Sequence, residues 1–153
     1  DPAWRPDVVA GVRLHRRIDA ITDAPPAVAA ARAYFDPGVR RWAGVALDVW
    51  FDHCLARDFE RVAGEPLRGF VERVHAALAG ARLADPPAFG LFVARLARHD
   101  GLAAYADRSH LDLVFERIAA RASRANPLAV MPVLLDALDA PLMRAFDALW
   151  TDL

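Results

Sequence analysis

Apolar residues recur along most of the chain at three- and four-residue intervals, the spacing of one face of an α-helix. Prolines and glycines divide this pattern into segments. Helices are predicted from Pro6 to the Pro25–Pro26 pair and over 27–35, 39–61, 67–83, 85–98 and 109–124, followed by a last segment from Asn126. Ser109 is a candidate N-cap, and Pro132 and Pro141 are expected to kink or split the last segment.

Signals for β-strands are missing, because the chain has neither a sustained alternation of period two nor an Asn-Gly turn. A length of 153 residues is typical of one domain. We therefore predict an all-α fold, a single helical bundle of about seven helices that spans residues 1–153.

The first helix carries polar groups on the side that its apolar residues predict to be internal. At about 100° per residue, one narrow sector holds Val8, Val12, His15, Asp19 and Thr22. His15 and Asp19 are therefore expected to face the interior, and Arg13, Arg16 and Arg17 to face away. Asp23 lies one further turn along the helix.

The long helix predicted over 39–61 repeats this anomaly. One face is predicted to hold Val45, Asp48, Phe51, Asp52, Leu55 and Phe59. Asp48 and Asp52 are stacked carboxylates on that face, and His53 lies one step round. Buried carboxylates repel each other and need a cation, which can be an arginine, a protonated histidine or a metal ion.

A metal ion is the more specific explanation. Carboxylates and imidazoles suit Mn²⁺ or Mg²⁺, and residues from two helices can converge on a metal in a bundle core. The alternative is that these residues serve as caps, salt bridges or satisfied core groups. His75, His99 and His110 are expected to be structural, and Cys54, the only cysteine, excludes a thiolate zinc site within one chain.

The net charge of −1 indicates no general attraction to nucleic acid, and no apolar run approaches the roughly 18 residues of a membrane span. Every basic residue is an arginine, a side chain suited to phosphate and carboxylate recognition. Arg16, Arg17, Arg40 and Arg41 are candidates for binding a phosphate or an acidic protein. The alternative is that both pairs are merely solvated surface.

Two stretches resemble the acyl carrier protein phosphodiesterases. They are "RPDVVAGVRLHRRIDAITDAPPAV" and "RRWAGVALDVWFDHCLARDFE", and the likeness is dense over residues 6–60 and thin beyond. In that family "DVVAG", "HRRID…TD" and "LD…DH" recur in this order. The family has been related to HD-type metal phosphohydrolases, although Asp52-His53 reverses their His-Asp dipeptide and so does not fix which residue binds metal.

The resemblance implies a cytoplasmic, metal-dependent phosphodiesterase, typically using Mn²⁺, that acts on holo acyl carrier protein. It would release 4′-phosphopantetheine and leave apo carrier protein. His15, Asp19, Asp48 and Asp52 would be catalytic groups or metal ligands, with His53 and Asp23 as second choices. Family members usually begin some 30 residues earlier with further His and Asp residues, so we expect the chain to lack an N-terminal segment.

Two other functions stay open at this point. One is an HD-like phosphohydrolase that acts on nucleotides or other small phosphodiesters. The other is a non-catalytic helical module that binds an acidic partner and uses the polar residues as structural ion pairs. The sequence indicates no oligomeric state.

Overall fold

The computed structural model describes residues 6–23, 26–80, 101–122 and 124–151. Its helices are α1 Pro6–Asp23, α2 Pro26–Ala33, α3 Ala43–Arg57, α4 Phe59–Ala63, α5 Leu67–Gly80, α6 His110–Arg121, α7 Met131–Ala137 and α8 Asp139–Thr151. Short 3-10 turns cover Arg40–Trp42, Ala103–Ala106 and Leu128–Val130. These residues contain no β-strand, which confirms the all-α fold class for the described part of the chain.

The helix predicted over 39–61 is wrong as a single element, because the chain divides it at Asp58. The Asp58 carboxylate accepts hydrogen bonds from the Arg57 Nε at 2.9 Å and from Arg61 at 3.2 Å. These ion pairs accompany a departure of the Asp58 backbone from helical geometry, with φ of −101° and ψ of 18°, that involves neither proline nor glycine. Because those two residues carry most of the sequence signal for a helix end, the break could not be predicted.

The last segment is split as predicted, with Leu138 between α7 and α8. Pro132 and Pro141 lie in the first turns of these two helices, where the missing N–H of proline has no helical partner to lose. Ser109 stands at the N-cap position of α6 but does not cap it. Its hydroxyl instead donates to Asp107 Oδ1 at 2.8 Å. The predicted position of the cap is therefore right, but the capping hydrogen bond is absent.

Helix α3 lies at the centre of the fold and contacts α2, α6, α7 and α8. The largest fully buried side chains lie on this helix and around it: Phe35, Leu47, Cys54, Leu111, Phe115, Leu128, Met131, Leu135, Leu142 and Phe146. Burial of this apolar surface is the main contribution to stability. None of the described helices is both long and apolar enough to cross a membrane. The helix predicted over 85–98 lies outside the described residues.

Candidate functional site

Asp48 and Asp52 lie one turn apart on α3, so their side chains project from the same side of the helix. Both residues are exposed. The pKa of Asp52 is nevertheless raised to about 6, first because surrounding atoms remove water from its carboxyl and second because of the negative charge of Asp48. The pair is therefore a local concentration of negative charge.

The orientation predicted for α3 is wrong by part of a turn. Asp48 and Asp52 are at the surface, and the buried position belongs to His53, whose exposed fraction is 3%. The buried face also holds Leu47, Trp50 and other apolar residues, while Val45, Phe51 and Leu55 are half-buried. Because α3 is apolar around most of its circumference, the periodicity does not single out one inward face.

His53 is held by a backbone carbonyl. Its Nδ1 lies 2.7 Å from the carbonyl oxygen of Tyr105, 52 positions further along the chain. A carbonyl can only accept a hydrogen bond, so Nδ1 carries the proton, and in the neutral ring Nε2 keeps its lone pair. Such a hydrogen bond fixes both the ring and its tautomer. His53 can therefore act as a proton acceptor or as a metal ligand through Nε2.

Tyr105 interacts with both His53 and Asp52 of α3. Its pKa is raised first by burial and second by the charge of Asp52, so its hydroxyl lies within electrostatic range of that carboxylate. The ring centroids of Tyr105 and His110 are 5.9 Å apart. Asp48, Asp52, His53 and Tyr105 are called the α3 cluster from here on. Sequence reasoning missed Tyr105, because a backbone carbonyl that arrives from a distant turn has no motif.

The prediction that His15 faces inward is wrong, because His15 is exposed. Arg13, Arg16 and Arg17 are exposed as predicted. The apolar residues of α1 do not define one buried side, since Leu14 and Ile18 keep 59% and 49% of their surface accessible. The side chains of Asp19 and Asp23, the other candidates on this helix, lie outside the described residues.

The two arginines before α3 have different surroundings. The Nε of Arg40 donates to the carbonyl oxygen of Phe35 at 3.0 Å, and its Nη2 donates to that of Ala33 at 3.4 Å. Arg40 therefore satisfies carbonyls at and just beyond the end of α2. Arg41 is exposed and stacks on the Trp42 ring, with its guanidinium carbon 5.3 Å from the ring centroid. Binding of a ligand by Arg41 would break fewer existing contacts than binding by Arg40.

The described residues do not form a metal site by themselves. No three His, Cys, Asp or Glu side chains among them lie close enough to share one ion. Asp48 and Asp52 offer oxygen atoms of the kind that Mn²⁺ accepts, but an ion needs more ligands than this pair. The structure thus places Asp48 and Asp52 on one side of α3 and His53 on its buried side, and it does not join His15 to them.

Comparison with known proteins gives one consistent result. The sequence model of the acyl carrier protein phosphodiesterase family matches residues 1–153. The acyl carrier protein phosphodiesterase of Salmonella newport (strain SL254) is 38% identical over 126 residues, which are 82% of this chain and 65% of the relative. That of Salmonella agona (strain SL483) is 37% identical with the same coverage. The chain thus spans slightly less than two thirds of the length of these relatives. No solved structure matches it.

Proposed function

The chain belongs to the acyl carrier protein phosphodiesterase family, and we propose that it hydrolyses the phosphodiester of holo acyl carrier protein. Water adds to phosphorus, the bond from phosphorus to the serine oxygen of the carrier breaks, and that oxygen leaves as a hydroxyl. The products are apo carrier protein and 4′-phosphopantetheine. The family match over residues 1–153 is the observation that carries this proposal.

The α3 cluster supplies groups suited to the proton transfers of this reaction. His53 has its Nδ1 proton fixed by the Tyr105 carbonyl, which leaves Nε2 to accept a proton from water in the neutral ring. Asp52, with a pKa raised to about 6, changes its protonation state close to neutral pH. A metal ion binds this carboxyl group only after the proton has left, so metal binding should strengthen as the pH rises through about 6. We assign proton transfer to His53 and metal binding to Asp52.

We also propose that a divalent metal ion, Mn²⁺, binds at Asp48 and Asp52. Two neighbouring carboxylates favour a cation, because a bound positive charge relieves their repulsion. The ion would supply charge stabilisation to the phosphoryl group. Its remaining ligands would come from residues beyond the described side chains, and Asp19 and Asp23 stay candidates. His15 also stays a predicted ligand, although it is exposed.

The exposed arginines of α1 are the proposed contact for the carrier protein. Arg16 and Arg17 project into solvent next to Arg13, so α1 presents three neighbouring positive charges. A nearly neutral protein attracts an acidic partner when its positive charge is concentrated locally. Arg41 is a further candidate, whereas Arg40 is engaged with the end of α2. The attraction should weaken as salt concentration rises.

Incubation of holo carrier protein with the purified protein and Mn²⁺ tests the proposed reaction. Chromatography coupled to mass spectrometry should detect free 4′-phosphopantetheine and the matching apo carrier protein, and a chelator should stop their formation. Bis(p-nitrophenyl) phosphate and cyclic nucleotides serve as comparison substrates. Hydrolysis of these small phosphodiesters with no product from holo carrier protein would support the alternative phosphohydrolase and overturn the proposal.

A further inference from the structure

An open groove runs between α5 and the 3-10 turn Ala103–Ala106. Its volume is about 710 Å³, within the range of small-molecule sites, roughly 300–1,000 Å³. Among the described residues, its lining is formed by Leu67, Arg68, Val71, Glu72, His75, Ala103 and Ala106. None of these residues belongs to the α3 cluster, and the proposed hydrolysis gives the groove no role.

The groove and the α3 cluster lie on two sides of the same turn. A 3-10 helix has three residues per turn, so Ala103 and Ala106 share one side, and this side lines the groove. The carbonyl of Tyr105, between them, instead receives the hydrogen bond from His53 of α3. A ligand in the groove is thus separated from the α3 cluster by the thickness of one turn.

His75 is a polar residue of the groove that lacks a hydrogen bond at one of its ring nitrogens. Its Nε2 is buried and has no hydrogen-bond partner among the described residues. A buried polar atom without a partner lowers stability, and such atoms are rare in proteins unless they have another role. Because this nitrogen is buried, a ligand in the groove reaches it only if the ring turns, and the broad χ2 minima of histidine allow such a turn. Sequence reasoning had assigned His75 a structural role.

The charges of the described lining residues cancel. Arg68 Nε and Glu72 Oε1 form an ion pair of 3.0 Å on the exposed surface of α5. The other described lining residues are apolar, apart from His75. A surface of this kind favours a neutral ligand with alternating apolar and hydrogen-bonding groups, because a polyphosphate would need unpaired positive charge.

We propose that this groove binds the pantetheine arm of the substrate, with His75 making a hydrogen bond to one of its amides. This inference rests on the proposed function for the identity of the ligand. The arm is neutral, carries two amides and two methyl groups, and ends at the phosphate. With the arm in the groove, its phosphate end would reach the α3 cluster around the Ala103–Ala106 turn.

Two substitutions of the same residue test this assignment. His75→Leu should weaken the binding of free pantetheine, measured by calorimetry, and raise the KM for holo carrier protein, each by about tenfold, the effect of one lost hydrogen bond. His75→Gln should restore most of both, because an amide side chain also donates and accepts. His75→Leu should raise the Tm of the free protein, since it removes an unpaired buried polar atom. A merely structural histidine would instead give a lower Tm.

A third variant tests the groove without touching its polar residues. Ala106→Leu should fill part of the volume and weaken pantetheine binding, whereas Ala137→Leu, at an exposed position of α7, should not. Pantetheine binding that depends on His75 and Ala106 supports the inference even if no hydrolysis is found. Hydrolysis of holo carrier protein with KM and pantetheine binding equal in wild type, His75→Leu and Ala106→Leu overturns the inference alone.

Discussion

At the scale of single residues, Asp52 is a carboxyl group whose surroundings disfavour its charged form. Its raised pKa means that the folded protein holds the carboxyl proton more tightly than the unfolded chain does. The resulting cost in stability is absent below about pH 3.8, grows as the pH rises, and is complete above about pH 6. A carboxylate kept at such a cost is typical of a functional site.

Asp52→Asn should therefore stabilise the metal-free protein at pH 7.5. The gain should be at most about 1 kcal/mol, because water screens an exposed carboxylate, and it should vanish near pH 4. Thermal melts in the presence of a chelator at both pH values measure it. Glu60→Gln, an exposed carboxylate on α4, is the control and should change little. A lower Tm for Asp52→Asn at pH 7.5 would contradict this account.

Cys54 offers a second test at this scale, because it is the only cysteine of the chain and is buried. Burial raises the pKa of its thiol to about 12, so about one thiol in 10⁴ is ionised at pH 8. A disulfide reagent should label the native protein very slowly and the denatured protein at once. Labelling of the native protein at the rate of a free thiol would show that the core around Cys54 is open.

The sequence predicts which candidate residues of α3 are neighbours better than it predicts their orientation. The four-residue spacing predicted that Asp48 and Asp52 lie together, and the charge of Asp48 does raise the pKa of Asp52. It could not predict that His53, rather than the carboxylates, is buried, because apolar residues nearly surround α3. The contact between the Tyr105 carbonyl and His53 could not be predicted either, because only tertiary packing brings these two residues together.

At the scale of elements, the helix ends show which signals the sequence carries. Prolines marked the starts of α1 and α2 and the division of the last segment. Gly64 ends α4 in a left-handed conformation, with φ of 73°. The end of α3 had no such signal, because charged side chains around Asp58 accompany it.

Gly64→Ala should destabilise the protein by about 1 kcal/mol, because a left-handed backbone is strained for alanine. No atom lies within 4 Å of the added Cβ, so strain is the whole effect. The matched control is Gly11→Ala inside α1, where the added Cβ also meets nothing. There the same change should stabilise by roughly 0.5–1 kcal/mol, since alanine is the better helix former. Urea denaturation measures the free energy of unfolding of both variants. An unchanged free energy for Gly64→Ala would contradict the left-handed helix end at this residue.

At the scale of the whole molecule, the fold class followed from helical periodicity and the absence of strand signals, and the described residues confirm it. The buried sides of α1 and α3 could not be predicted in the same way, because they depend on which neighbouring helices cover each face. The relation to HD-type enzymes stays a prediction. The family assignment extends over residues 1–153, beyond the part of the sequence in which the resemblance is dense.

The exposed arginines of α1 allow a test of the proposed contact with an acidic carrier protein. Replacing Arg16 and Arg17 by alanine should raise the KM for holo carrier protein several-fold with a smaller effect on kcat, because both charges steer association. The difference from wild type should shrink at high salt. Replacing Arg117 and Arg121, exposed on α6, is the control. An equal KM in both double variants would exclude α1 as the contact surface.

The most direct test of the central claim is the mass of holo carrier protein after incubation with the protein and Mn²⁺. The wild type and Glu60→Gln should convert it to the apo form with loss of the phosphopantetheinyl group. Asp52→Asn, although folded, should do so about 100-fold more slowly, because the substitution removes a carboxylate assigned to metal binding. An unchanged mass with wild type at every metal concentration, or conversion by Asp52→Asn at the wild-type rate, would contradict the account.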